Sequence, residues 1–132
     1  MLVSSSTLGG CLEEDSHEVG LGKINVTNYS ENRISTVVTV EKEGRTVYTE
    51  EHALEGTANG SLGRIAIVEE WMDEKTPYNV EITVDGDHQN SFSTRDANEF
   101  FSDWGANECY FLDAVFEAKS INFAVGGLES CP

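Results

Sequence analysis

Apolar and polar residues alternate along most of the chain from residue 22 onward. The clearest run is 78–84, where apolar residues at even positions alternate with polar residues at odd positions. Alternation with a period of two puts the apolar side chains on one face of a strand and the polar ones on the other. Turn signals such as Asp85-Gly86-Asp87 separate these runs and favour hairpins. After a first strand around Ile24 and Val26, the pattern predicts strands at 33–41, 45–52, 62–69, 78–84, 88–94, 109–117 and 121–127.

Seven or eight short strands separated by turns, with no long helix, are typical of an all-β fold, an antiparallel β-sandwich. In such a fold the acidic and other polar residues lie on the outward faces. Trp71 is a candidate for a plug between the two sheets. The side chains that we expect to face inward are Ile24, Val26, Val38, Val40, Val47, Ile65, Ile67, Tyr78, Val80, Ile82, Val84, Phe92, Phe111, Val115 and Phe123.

The charge of the chain narrows the range of partners. Its 132 residues suit one compact domain, and 24 Asp and Glu against 8 Lys and Arg give a net charge of −16. A surface this acidic repels nucleic acid and anionic membrane surfaces. The acids are scattered through the chain and do not form one tail, which is typical of the solvated surfaces of proteins from extreme halophiles. Pairs such as Glu69 and Glu70 are therefore interpreted as surface charge and not as a catalytic site.

The N-terminal segment resembles the processing site of a lipoprotein. Leu8-Gly9-Gly10-Cys11 is similar to a lipobox, in which the cysteine thiol takes the lipid, although a basic n-region and an apolar h-region are missing. The alternative is a disordered tail with an incidental free cysteine. We predict a signal-peptide remnant at 1–10, an acidic flexible linker at 11–22 and the β-sandwich domain at 23–132. The membrane contact would be the lipid alone.

The three cysteines support the same interpretation. If Cys11 carries lipid, Cys109 and Cys131 remain as a pair. A hairpin that turns near Ala118-Lys119-Ser120 would set Cys109 opposite a residue near 130, so a disulfide with Cys131 is geometrically reasonable. Such a bond implies an oxidising compartment, outside the cytoplasm. The alternative is two reduced thiols.

Three sequons offer acceptors for N-linked glycans in an exported chain: Asn25-Val26-Thr27, Asn28-Tyr29-Ser30 and Asn59-Gly60-Ser61. Asn25 is out of phase with Ile24 and Val26, so we expect its side chain to point outward. Asn59 lies at a loop tip and is the best of the three. The alternative is chance occurrence of a three-residue motif.

No set of residues in the sequence predicts a reaction or a cofactor. None of His17, His52 and His88 has a second His or Cys at ligand spacing, so neither copper nor zinc is expected. Asp85, Asp87 and Asn90 offer oxygens that suit Ca²⁺, but the full twelve-residue calcium loop is absent, and we interpret them as a tight turn with solvated acids. No serine or cysteine nucleophile has a recognisable base partner. The aromatic cluster Phe100, Phe101 and Trp104 is either a lid on the core or an exposed contact patch.

The lipobox-like start, the acidic linker, the alternating strands and the paired C-terminal cysteines together resemble small secreted lipoproteins of haloarchaea with an immunoglobulin-like fold. The resemblance covers most of the chain and implies no reaction, no catalytic residues and no cofactor. It implies a protein held on the outer face of the cell membrane.

We therefore expect a non-enzymatic, surface-anchored interaction module of the cell envelope of a halophile. Its partner would be an envelope protein or a glycan, or a second copy bound through an edge strand. One alternative is a structural subunit of a surface filament or virion, and another is a carrier of a small ligand or metal.

Overall fold

The computed structural model describes residues 20–94, 109–128 and 131, which form two four-stranded sheets packed face to face. The prediction of an all-β sandwich of seven or eight strands is confirmed, with eight strands in the described residues. The strands are β1 Gly20–Asn28, β2 Ile34–Lys42, β3 Arg45–Leu54, β4 Gly63–Ile67, β5 Tyr78–Val84, β6 His88–Ser93, β7 Cys109–Glu117 and β8 Ser120–Leu128. Two single-turn 3₁₀ helices, Thr57–Asn59 and Glu70–Asp73, flank β4.

The first sheet has the strand order β4-β1-β7-β8 and the second has the order β3-β2-β5-β6. Neighbouring strands pair antiparallel, as predicted, except for β1 and β7, which run parallel. That pair joins the first strand to one about ninety residues later, so no turn between them fixes its direction. The parallel pairing is what brings the start of β1 beside the start of β7.

The core lies between the sheets and follows the alternation that the sequence shows most clearly in β5, whose even-numbered residues are buried. In β7 the predicted phase is wrong: Leu112, Ala114 and Phe116 are buried, whereas Phe111 and Val115 are half-buried on the other face. The segment is apolar at both parities, so its alternation does not identify the inner face. Trp71, together with Val47, Ile65, Phe92 and Phe123, is only partly buried and packs against the core from its margin.

The domain begins earlier than the sequence pattern indicates. β1 starts at Gly20, three residues before the predicted boundary at residue 23, and Leu21 is 1% exposed in the core. Gly20 and Leu21 pair with Cys109 and Tyr110 of β7. In the sequence, Gly20 and Gly22 favour a linker. Pairing with the distant strand β7 instead makes these residues part of β1.

The hairpin between β7 and β8 is tighter than predicted. Ala118 and Lys119 alone form the turn, with φ values of 53° and 63°, and Ser120 already belongs to β8. Cys109 is therefore opposite Leu128 and not opposite a residue near 130. A two-residue turn of this kind requires positive φ at both positions, for which Asn-Gly is the usual sequence. Ala-Lys gives no such indication.

The connections gather at the two ends of the sandwich. Gly20, Cys109 and Leu128 lie together at one end, which we call the proximal end. Four connections lie at the opposite end, which we call the distal end. They are the β1–β2 loop (29–33), the β3–β4 loop (55–62), the β5–β6 turn (85–87) and the β7–β8 turn (118–119).

Candidate functional site

A groove crosses the distal end between the β1–β2 loop and the β5–β6 and β7–β8 turns. Its volume is about 420 Å³, within the range of sites that bind small molecules or side chains of a partner. The residues that line it combine aromatic rings, hydroxyls, carboxylates and one lysine. They are Tyr29, Ser30, Glu31, Asn32, Ile34, Asp85, His88, Phe116, Ala118 and Lys119.

Aromatic side chains form the apolar part of this distal groove. The rings of His88 and Phe116 have centroids 5.6 Å apart and are tilted by 51°. The backbone N–H of Tyr29 donates to the carbonyl oxygen of Phe116 at 2.9 Å, which fixes the position of the loop that carries the tyrosine. Tyr29 is nevertheless 47% exposed. An exposed ring on a fixed backbone suits stacking on a partner.

The charges around the distal groove have both signs. Lys119 lies on one wall, and the carboxylates of Glu31 and Asp85 lie on others. Nε2 of His88 is 3.5 Å from Oδ1 of Asp87. A cation on such an acidic molecule is unusual, since the whole chain has only 8 lysines and arginines. A partner that binds at the distal groove therefore meets both positive and negative side chains.

Asn28 holds the loops of the distal end in place. It is 0% exposed, and its Nδ2 donates to the carbonyl oxygens of Asn32 at 2.9 Å, Glu55 at 3.0 Å and Leu54 at 3.4 Å. Its Oδ1 accepts from the backbone N–H and the hydroxyl of Ser30 at 2.9 and 2.6 Å. One buried side chain thus joins the β1–β2 loop to the β3–β4 connection. Sequence reasoning missed this role.

Gly56 allows the same two loops to approach. A Cβ at this position would lie 2.1 Å from the carbonyl oxygen of Glu31, which is far closer than atoms can pack. The N–H groups of Thr57 and Ala58 donate to the carbonyls of Ser30 and Glu31 at 2.9 and 3.2 Å. Backbone hydrogen bonds therefore hold the β1–β2 loop against the β3–β4 loop.

Two of the three candidate glycan acceptors, Asn25 and Asn28, are buried in the folded domain. The expectation that Asn25 points outward is wrong: it is 5% exposed, because β1 is an interior strand whose neighbours, Ala66 and Asp113, flank it on both sides. Asn28 is fully buried, and its amide nitrogen is used as described above. Asn59 is exposed, and its Nδ2 donates to Oε1 of Glu55 at 2.8 Å.

The oxygens considered for Ca²⁺ have structural roles. Oδ1 of Asp85 accepts from the N–H of Ser35 at 2.9 Å, and the N–H of Asp85 donates to the carbonyl of Ser35 at 2.8 Å. Oδ1 of Asn90 accepts from the N–H of Ser91 at 2.9 Å, while its Nδ2 donates to the carbonyl of Ile121 at 2.8 Å. Within the described residues, no group of three or more His, Cys, Asp and Glu could hold a metal ion.

Comparison with known proteins adds little to this geometry. No protein-family model matches the sequence, and no curated protein matches it. Among solved structures, the chain is similar to the T6SS lipoprotein TssJ1 from Pseudomonas aeruginosa, with a TM-score of 0.49 and 10% identity, covering 82% of this chain and 98% of that one. A likeness at this level carries no information on function. No helix in the described part of the chain has the length and apolar character needed to cross a bilayer.

At the proximal end, Cys109 and Cys131 are joined by a disulfide, with Cα atoms 5.1 Å apart. Cys109 is buried, and Sγ of Cys109 would lie 3.1 Å from a Cβ built on Gly20. The cross-link is thus next to the point where the chain enters β1. Other predicted positions, namely Cys11, His17, Phe100, Phe101 and Trp104, lie outside the described residues.

A buried hydroxyl network also lies near the proximal end. Oγ1 of Thr94 accepts from the N–H of Tyr78 at 2.7 Å and is hydrogen-bonded to the side chain of Tyr110. The Tyr78 hydroxyl donates to the carbonyls of Trp71 and Glu74. Burial raises the pKa of Tyr110 well above its ordinary value. Burial, together with the charges of Glu50 and Glu69, also raises the pKa of Tyr48.

Proposed function

We propose that this protein is a non-enzymatic interaction module of the cell envelope of a halophile, held on the outer face of the membrane by lipid on Cys11. The observation that supports this proposal most is the separation of the two ends. β1 begins at the proximal end, and the groove with its fixed loops lies at the other. An anchor before β1 would leave the distal groove facing away from the membrane.

The acidic segment between Cys11 and Gly20 fits the role of a spacer. Nine peptide units separate these residues, and a chain extends by at most about 3.5 Å per residue, so the segment reaches about 30 Å. Its carboxylates, and those of the domain, repel an anionic lipid surface. We propose that repulsion and the spacer keep the domain off the membrane to which its lipid binds.

The chemistry of the distal groove favours an envelope protein or a glycan as the partner. Tyr29 offers an exposed ring for stacking, and Lys119 offers a donor for carboxylate or hydroxyl oxygens. Nucleic acid is disfavoured by the net charge of −16. A carrier of a small ligand is the alternative that the volume of the groove leaves open.

The test is affinity capture from native membranes in buffer of molar salt with the lipidated protein and two variants. Tyr29→Ser combined with Lys119→Glu removes the ring and the cation of the distal groove. Val68→Ser removes an apolar side chain of similar exposure just after β4, away from the distal groove. We expect a partner that binds the wild type and Val68→Ser but is lost with the double variant. Equal recovery with all three proteins would contradict the proposal.

A structural subunit of a filament or virion is the second candidate function. Within the described residues, each of the edge strands β3, β4, β6 and β8 pairs with one neighbour only, and this observation favours the candidate. Electron microscopy of the purified protein at high salt tests it, because assembled filaments support this candidate and isolated monomers contradict it.

A further inference from the structure

In the part of the chain that the structure describes, two neighbouring edge strands contain no charged residue. The edge strands β6 and β8 lie next to each other on one side of the sandwich, where the rings of Phe92 and Phe123 have centroids 5.6 Å apart. The two strands together contain fifteen residues and not one Asp, Glu, Lys or Arg. In the whole chain, 24% of residues are charged. We call this side, formed by 88–93 and 120–128, the neutral edge.

The opposite side of the sandwich serves as an internal comparison. The edge strands β3 and β4 also contain fifteen residues, and four of them are charged: Arg45, Glu50, Glu51 and Arg64. Charged residues on an edge strand are the usual protection against pairing with another chain. β3 and β4 have this protection, and the neutral edge does not.

β8 presents backbone groups for pairing. Glu117 and Ser120 close a two-residue turn, so alternate residues of β8 bond to β7 and the others point away from it. The outward set is Ile121, Phe123, Val125 and Gly127. The carbonyl of Ile121 accepts from Nδ2 of Asn90 in the other sheet at 2.8 Å. Within residues 20–94 and 109–128, no strand pairs with this edge of β8.

We infer that two copies of this protein pair antiparallel through β8, edge to edge. Charge selects a second copy as the occupant. Two molecules of net charge −16 repel over most orientations, and the neutral edge is the approach that sets no like charges directly against each other. A pairing centred on Ala124, the midpoint of the outward set, sets Phe123 opposite Val125 of the second copy. The inference is independent of the proposed partner at the distal groove.

The experiment is sedimentation velocity of the full chain across a concentration series in molar salt, where the charges are screened over about 3 Å. Ala124 and Ala53 are both exposed alanines on edge strands, one on the neutral edge and one on β3. We expect the wild type and Ala53→Glu to form dimers with equal affinity. Ala124→Glu puts two carboxylates face to face and weakens the dimer by about two- to five-fold.

Hydrogen exchange of the wild type gives a second readout that needs no variant. The amides of Phe123 and Val125 point away from β7, so they become protected as concentration rises if β8 pairs with a second copy. A protein that stays monomeric at all concentrations would overturn the inference. Equal dimerisation of Ala124→Glu and Ala53→Glu would also overturn it. The same holds for exchange rates at Phe123 and Val125 that do not change with protein concentration.

Discussion

Nδ2 of Asn28 lies 3.0 Å from the carbonyl oxygen of Glu55, and this partly buried hydrogen bond ties the end of the first strand to the loop after the third. The same nitrogen serves two further carbonyls. The distal groove thus depends on a residue that contributes nothing to its surface. Loops that are already held in place reduce the entropic cost of ordering them when a partner binds.

Replacement of Asn28 by alanine removes the donor of three backbone carbonyls, of which that of Leu54 is buried. A buried carbonyl left without a donor costs about 1–3 kcal/mol. We expect Asn28→Ala to lower the free energy of unfolding by more than about 2 kcal/mol. The matched control is Asn59→Ala, which removes an exposed bond to the same Glu55 and should change stability by less than about 0.5 kcal/mol. Urea titration at fixed molar salt measures both. Equal effects would show that Asn28 does not brace the loops.

The cross-link at the proximal end should contribute strongly to stability. A disulfide across a sequence separation of 22 stabilises by about 3 kcal/mol in the chain-entropy model. We expect the double variant Cys109→Ser, Cys131→Ser to lose about that much, and reduction of the wild type to have the same effect. Reductant should leave the double variant unchanged. Stability that does not respond to reductant in the wild type would argue for two free thiols in the native protein.

If the exported chain carries N-linked glycan, we expect it on Asn59. Attachment consumes a hydrogen of the side-chain nitrogen and needs space, which Asn59 has and the buried Asn25 and Asn28 lack. Peptide mass spectrometry of protein from native membranes tests the expectation. Asn59→Gln should remove all glycan, and Asn25→Gln should remove none. Glycan found on Asn25 or Asn28 would mean that modification precedes folding.

The buried Tyr110 predicts a loss of stability in alkali. Its pKa is raised in the folded protein, whereas an unfolded tyrosine ionises near pH 10. The unfolded state therefore releases a proton first, so this contribution is complete below about pH 10 and is lost as pH rises above it. Thermal unfolding between pH 8 and 11.5 measures the effect.

Two tyrosine variants separate Tyr110 from the general effect of alkali. Tyr110→Phe removes the titrating group and should flatten the fall in melting temperature above pH 10, although the lost hydrogen bond with Thr94 costs about 1 kcal/mol at neutral pH. Tyr29→Phe changes an exposed ring and should keep the slope of the wild type. An unchanged slope in Tyr110→Phe would contradict this explanation.

The sequence predicted most strands because their alternation is local. β5 has apolar residues at every even position, and its burial follows that pattern. β7 defeats the same reasoning, since Tyr110 and Phe111 are neighbours of similar character and only one can face the core. Phe111 instead lies over Gly126 of β8, where a Cβ would come within 2.3 Å of its ring. A cross-strand contact of that kind cannot be read from either strand alone.

The predictions at the candidate sites failed for one reason: the burial and the neighbours of these residues depend on which distant strands pair. Asn25 has the phase of an outward residue, but β1 lies between β4 and β7 and both faces of it are buried. The distal groove draws Tyr29 and Lys119 from two separate connections and His88 from the start of β6. None of these residues forms a motif in the sequence. Only the topology brings them together.

The most direct test of the tethered module is intact-mass analysis of the protein extracted from native membranes without reductant. We expect a chain that begins at Cys11, carries lipid on that residue, and is lighter by two hydrogens for the bond between Cys109 and Cys131. A soluble chain that retains residues 1–10 with an unmodified Cys11 would contradict the anchor. The orientation proposed for the distal groove would then have no basis.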